Sequence, residues 1–214
     1  MKKIKNLSVI AVTMLLVSAC QKDARLSQPA NDDAVATTSN SSSNKNSENT
    51  AGHVYTLSNQ VSGNAVMEYS RASDGTLNFV ASYAAGGTGT GGGLGNQGAI
   101  ILTDDGDVLL AVNAGSNTIS SFKVDNNGLS LTSTVSSGGI RPISITRYND
   151  LVFVLNAGAP GNISGFAING NGMLNAIPNS IRPLSAANVG PAQIEFVNDG
   201  KVLVVTEQAT NKII

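Results

Sequence analysis

Short apolar runs separated by clusters of Asn, Asp and Gly make up the chain from Val54 onward. Residues 98–102 are apolar, 104–107 read Asp-Asp-Gly-Asp, and 108–113 are apolar again, the pattern of a β-hairpin. A polar loop at 113–117 leads into 119–124, where apolar and polar residues alternate as in a half-buried strand. Asp125-Asn126-Asn127-Gly128 then turns the chain into a fourth strand at 129–135. None of these runs has the 3.6-residue period of a helix, so the elements predicted are all strands.

The same order of elements returns. Val112-Asn113-Ala114-Gly115, followed by Ile119-Ser120-Ser121-Phe122, reappears as Leu155-Asn156-Ala157-Gly158, followed by Ile163-Ser164-Gly165-Phe166, with 43 residues between Asn113 and Asn156. A period of that size, filled with four strands, predicts an all-β fold, a β-propeller of four-stranded antiparallel blades. The third unit runs from 142–146 through a turn at Asn149-Asp150 to 151–156, 163–168 and a strand from Met173 onward. The first unit has strands at 54–58, 65–70 and 77–83 but no innermost strand; the fourth begins at 192–196 and reaches Ile213, which aligns with Ile119. Residues 53–214 therefore amount to about three and a half blades at a period of roughly 40–50 residues. Because an open arc exposes strand edges that a closed ring removes, the expectation is a fragment of a longer polypeptide whose further blades close the ring.

In such a blade the link entering the innermost strand and the loop leaving the second strand lie on one face, so residues distant in sequence converge there. The links are 95–98, 139–142 and 190–193, and the loops are 113–115, 156–158 and 206–208. Gln97, Asn113, Asn156 and Gln193 are the expected ligand-binding residues of that face. Aligning Thr206 with Asn113 and Asn156 puts Glu207 where the earlier units have Ala114 and Ala157, and a carboxylate replacing a small residue at the mouth marks it for acid/base work or for gripping a polar ligand. Arg141, on the matching face, is the second candidate catalytic group.

The first fifty residues have another character. Lys2, Lys3 and Lys5 precede an apolar run at 7–17 that is too short to span a bilayer comfortably, and Val17-Ser18-Ala19 leads to Cys20, the only cysteine. This reads as a signal peptide over 1–19 whose spacing resembles the bacterial lipobox, with Cys20 as the lipidated first residue of the mature protein. Gln21 rather than Asp follows, which by resemblance to the sorting rule of Gram-negative lipoproteins implies the outer membrane. Residues 20–52 are Ser-, Asn-, Thr- and Asp-rich and too poor in bulky apolar groups to fold, so they are expected to be a flexible tether. His53, the only histidine, is expected at the boundary of tether and first strand.

Charge and motif content narrow the chemistry. Loss of the three signal lysines leaves 10 of the 13 basic residues against 14 acidic ones, a net charge of −4 with no basic block, so nucleic acid is not an expected partner. Residues 86–95 contain a formal Gly-x-Gly-x-x-Gly, but a strand rather than a helix follows, so the segment reads as a long flexible loop between blades instead of a dinucleotide fingerprint. Asp104, Asp105 and Asp107 fall in a hairpin turn, where Asp is favoured for its backbone hydrogen bonds, so no metal is called for. No cofactor is called for either, and without a histidine inside the repeats no Ser/His/Asp constellation can be assembled.

Gly190-Pro191-Ala192-Gln193-Ile194-Glu195-Phe196, then Asp199-Gly200-Lys201 and Val204-Val205-Thr206-Glu207, resemble the blade signature of the seven-bladed lactonase family, which includes bacterial 6-phosphogluconolactonases and the fungal carboxymuconate-lactonizing enzyme. Leu155-Asn156-Ala157-Gly158 and Asn162-Ile163-Ser164-Gly165-Phe166 are similar to its other blades, and the likeness covers residues 53–214. Where enzymes of that family show Gly-Pro-Arg-His, this chain has Gly190-Pro191-Ala192-Gln193, keeping only the glutamate, as Glu207. Opening a lactone needs carbonyl polarisation and a proton relay, so Arg141, Arg182 or groups of further blades would have to supply them. The resemblance implies a lipid-anchored, exported propeller whose mouth binds a small polar molecule or sugar lactone and is a candidate for its hydrolysis. The alternative is a non-catalytic platform for a ligand or an envelope protein.

Overall fold

The computed structural model describes residues 50–214, and every regular element within them is a β-strand. The signal segment, Cys20 and the tether up to residue 49 lie outside the described residues. Four antiparallel sheets follow one another along the chain. The first contains β1 (Thr50–Leu57), β2 (Ala65–Ala72) and β3 (Leu77–Ala84). The second is the complete unit, β4 (Ile100–Leu102), β5 (Val108–Asn113), β6 (Thr118–Asp125) and β7 (Gly128–Ser136). The third orders β8 (Pro142–Tyr148), β9 (Leu151–Asn156) and β10 (Asn162–Ile168), with its fourth position shared by β11 (Leu174–Ala176) and β12 (Arg182–Pro183), both paired to β10. The last has β13 (Pro191–Val197), β14 (Val202–Glu207) and β15 (Lys212–Ile213). These are the blades that the patterning predicts, with three strands in the first sheet among the described residues, and Thr206 pairs with Ile213 as Val112 pairs with Ile119.

Two local features differ from the expectation. The fourth strand of the third blade is broken, because Pro178 has no N–H to give a ladder and biases Ile177 before it. The backbone of Gly165 on β10 is satisfied all the same: its N–H donates to Ser180 Oγ at 3.0 Å and its carbonyl accepts from Ile177 N at 2.9 Å. His53 lies inside β1 rather than at its margin, with Nδ1 2.8 Å from Oε1 of the buried Glu68 on β2, whose Oε2 accepts from the Tyr83 hydroxyl at 2.7 Å.

Adjacent sheets enclose three apolar layers. Val66 and Ala85 of the first blade meet Leu109, Ala111, Phe122 and Leu129 of the second. From the other face of the second blade, Leu110, Val112 and Ile119 meet Ile145, Val152, Val154 and Phe166 of the third. Ile143, Leu155 and Leu184 of the third meet Val189, Ile194 and Val205 near the fourth. The continuous apolar run of β5 thus serves two cores with alternate side chains, as a strand covered on both faces must. Burial of each large side chain such as Phe122 or Phe166 contributes roughly 1.5–3 kcal/mol. In β8 and β13 one residue too many stands before the regular ladder: the register passes from Pro142–Asn156 to Ser144–Leu155, and from Pro191–Glu207 to Gln193–Thr206. Ile143 and Ala192 are the extra residues, and such bulges re-aim the side chains beside them.

Candidate functional site

Each second strand of the later three blades ends in a buried polar residue, Asn113, Asn156 and Glu207, at 0%, 0% and 1% exposure. Backbone bonds two residues further on fix the equivalence: Gly115 N donates to Thr88 O, Gly158 N to Ile140 O and Ala209 N to Val189 O. Glu207 is therefore the counterpart of Asn113 and Asn156, and the alignment with Ala114 and Ala157 is one residue out.

All three side chains reach back into the seam with the preceding blade. Asn113 Nδ2 donates to Ala85 O at 3.3 Å and to Ser120 Oγ at 2.8 Å, and Asn113 Oδ1 accepts from Asn64 Nδ2 at 3.0 Å. Asn156 Nδ2 donates to Ser137 O at 3.1 Å and Asn162 Oδ1 at 2.9 Å. Glu207 accepts instead: Oε1 from Ser185 N at 3.0 Å, and Oε2 from Ser185 Oγ at 2.5 Å and Thr210 Oγ1 at 2.9 Å. Burial raises the Glu207 carboxyl, but the two Ser185 bonds, the Thr210 hydroxyl and the Lys212 charge outweigh it and hold the group below its ordinary value. Asn113, Asn156 and Glu207 are thus fasteners between blades, and none of them lines the cavity of the linking turns. The fit is close, because a Cβ on Gly139 would stand 2.6 Å from Asn156 Cγ.

Gln97 and Gln193 do come together. With Asn96, Thr206 and Gln208 they line a cavity of about 560 Å³ on the face of the linking turns. The bulge at Ala192 sets its wall: Ala192 O accepts from Gln97 N at 3.2 Å, and Gln193 N donates to Thr206 Oγ1 at 3.1 Å. Asn96 Nδ2 donates to Ile143 O, tying the link of the second blade to the innermost strand of the third. The lining is rich in carboxamides, each offering donors and an acceptor, and carries no charged side chain. The convergence on Gln97 and Gln193 is the one the repeat geometry implies, and Gln208, in the loop 206–208 beside Glu207, joins them.

Arg141 stands apart from both. Its φ of 56° lies in the left-handed region, where the fourth blade has Gly190 at 58°. That conformation costs a residue bearing a Cβ roughly 1–2 kcal/mol. Asn117 Oδ1 accepts from Arg141 N at 2.7 Å and Ala157 N donates to Arg141 O at 2.9 Å, so the backbone is held while the side chain is exposed. No ion pair joins Arg141 to Glu207 among the described residues.

The glycine-rich segment is more constrained than the flexible loop expected. Gly89 N donates to Gln60 O at 2.7 Å, Gly91 N to Asn59 O at 2.8 Å, and Asn59 Oδ1 accepts from Thr90 N at 2.9 Å. A Cβ on Gly89 would lie 2.1 Å from the Asn59 carbonyl carbon, so the close approach explains the glycine. Among the acidic residues of the hairpin, Asp105 Oδ1 accepts from Thr103 Oγ1 at 2.5 Å and Asp107 N at 3.2 Å, bonds of a turn.

Residues 46–183, more than half of the chain, match the family described as Lactonase, 7-bladed beta-propeller. No curated protein matches the sequence. Among solved structures, a protein from Lactobacillus plantarum is similar at 16% identity and a TM-score of 0.60, over 78% of this chain and 48% of that one. Two proteins provisionally named 6-phosphogluconolactonase are similar as well. The one from Bacteroides fragilis has 17% identity and a TM-score of 0.56, over 75% of this chain and 51% of that one. The one from Bacteroides uniformis has 19% identity and a TM-score of 0.56, over 76% and 49%. The chain spans about half the length of these structures, and at such identities the likeness is one of fold.

Proposed function

Because the chain belongs to the Lactonase, 7-bladed beta-propeller family, we propose that the cavity at the linking turns binds a small lactone and holds it for hydrolysis. The observation that carries this reading is the meeting of Gln97, Gln193 and Gln208 with Asn96 and Thr206 around one cavity of about 560 Å³, a volume suited to a small organic ligand. Carboxamides can donate to a lactone carbonyl and both donate to and accept from ring hydroxyls. A lining without charge favours an unphosphorylated sugar lactone over a phosphorylated one, since a phosphate calls for charge-assisted donors.

Ring opening also needs a group that moves a proton. The bonds of Glu207 to Ser185 and Thr210 commit it to the seam, and this favours a second reading in which the rim binds without catalysing. The assay is hydrolysis of glucono-1,5-lactone by the whole chain in a pH-stat, with saturation-transfer NMR reporting binding. Binding and turnover that both weaken in Gln193→Ala support the lactonase; binding without turnover supports a rim that binds without catalysing; neither binding nor turnover refutes the rim as a sugar-lactone site and favours a platform for an envelope protein. We further propose that Cys20 is acylated and carries the body at the outer membrane, within reach of envelope partners. Metabolic labelling with a palmitate analogue that is lost in Cys20→Ala is the expected result, and equal labelling of both proteins refutes it.

A further inference from the structure

The fourth strand of the third blade is broken, whereas β7 of the second runs without a break. The segment between β11 and β12, the end of β7 and the middle of β10 line a cavity of about 560 Å³. Its walls are chiefly apolar, with Phe166, Ile177, Pro178 and Ile181 among them, and Ile181 keeps 53% of its surface exposed. The floor is already satisfied, because Gly165 N and O are bonded to Ser180 Oγ and Ile177 N. A guest therefore meets a satisfied backbone at Gly165, and burial of its apolar surface favours binding.

One cation stands in the lining. Arg182 Nη1 donates to Asn179 O at 2.7 Å and Ile181 O at 2.8 Å, which fixes the plane of the guanidinium. A guanidinium carries five N–H donors, so others are left for a ligand, and no carboxylate pairs with Arg182 among the described residues. A fixed guanidinium at an apolar cavity matches a molecule with a carboxylate at one end and a hydrocarbon body at the other.

We propose that this inter-blade cavity is a binding site for a monocarboxylate with an apolar body, with Arg182 holding the carboxylate and Ile177, Pro178 and Ile181 enclosing the chain. The site shares no residue with the lactone cavity and does not depend on that reading.

The test is titration of the whole chain with octanoate, octan-1-ol and octylamine, followed by calorimetry and by NMR shifts of the Gly165 amide. Saturable binding of octanoate, at least tenfold tighter than octylamine and weakened at least tenfold in Arg182→Gln, is the expected result. Octanol binding as tightly as octanoate, or octanoate binding unchanged in Arg182→Gln, overturns the role of Arg182, and no saturable binding overturns the site. Ile181→Glu, an exposed change that puts a carboxylate in the wall, provides a second check: binding that survives it also overturns the proposal. Arg182, a candidate for lactone chemistry on sequence grounds, lies outside the lining of the lactone cavity, as does Ile181. Glucono-1,5-lactone binding is therefore expected to be unaltered in both variants, so failure here and failure at the rim are told apart.

Discussion

Truncating Asn156 to Ala tests whether the ends of the second strands fasten the blades together. The carboxamide is fully buried, and its Nδ2 faces Ser137 O at 3.1 Å, Asn162 Oδ1 at 2.9 Å and Ser164 Oγ at 3.3 Å. One NH2 group has two protons, so the change removes the equivalent of two hydrogen bonds, each contributing about 1 kcal/mol net. It also opens a small void beside Gly139, costing about 1 kcal/mol, whereas deleting the buried Oδ1, which has no hydrogen-bond partner, offsets a similar amount. A loss of about 2 kcal/mol is expected, lowering Tm by about 4–8 °C for a body of this size. Urea unfolding followed by circular dichroism measures it, with a lowered midpoint and an unchanged slope as the signature of lost stability rather than altered compactness. Asn113→Ala is expected to cost more, because Asn64 Nδ2 also loses its acceptor at Asn113 Oδ1. A loss below about 0.5 kcal/mol in Asn156→Ala, the range of an ordinary surface change, refutes the fastening role.

Three further outcomes follow from other contacts. Because the folded Glu207 carboxyl lies below its ordinary 4.5, its stabilisation is complete above that pH and is lost as pH falls through the folded value. Glu207→Gln is therefore expected to flatten the acid limb of stability against pH while leaving lactone binding at the rim unchanged; an unaltered acid limb, or lost lactone binding, contradicts this. Gly89→Ala is expected to displace the glycine-rich segment from Asn59 and speed proteolysis within residues 86–95, and a cleavage pattern identical to the parent's counts against the close approach. Burial first, then the hydrogen bond to Glu68 and its charge, raise the Tyr83 phenol above 10.0, so Glu68→Gln is expected to bring its ultraviolet titration down, and an unmoved midpoint rejects the contact.

The blades themselves are legible in the chain because each strand carries its own alternation and each hairpin its own Asn, Asp and Gly. What sequence reading misplaces are features set by contacts across seams. The second strands of three blades read Val-Leu-Leu-Ala-Val-Asn, Leu-Val-Phe-Val-Leu-Asn and Val-Leu-Val-Val-Thr-Glu, and in that frame Glu207 falls on Asn113 and Asn156. Counting Lys201 into the strand and taking the polar Thr206 as its end slips the frame by one residue. Thr206 stays in the strand because its hydroxyl accepts from Gln193 N, a bond created by the bulge at Ala192 and invisible along one strand. Asn113 and Asn156 look like rim ligands for a related reason: a polar residue at a strand end reads as exposed until the preceding blade is seen to cover it. The break after Ala176 was open to reading, since Pro178 is hostile to a ladder, but Ser180 taking over the role of the missing strand was not.

The fasteners do not all point the same way. At Asn113 and Asn156 the later blade gives protons to a carbonyl of the earlier one, whereas at Glu207 the earlier blade gives protons to the later. A blade ending in Ser137 presented to the glutamate would set a carbonyl against a carboxylate, two acceptors with no proton between them. The seam at Glu207 is thereby keyed to the blade before it, so the order of the sheets matters there even where each sheet is left whole.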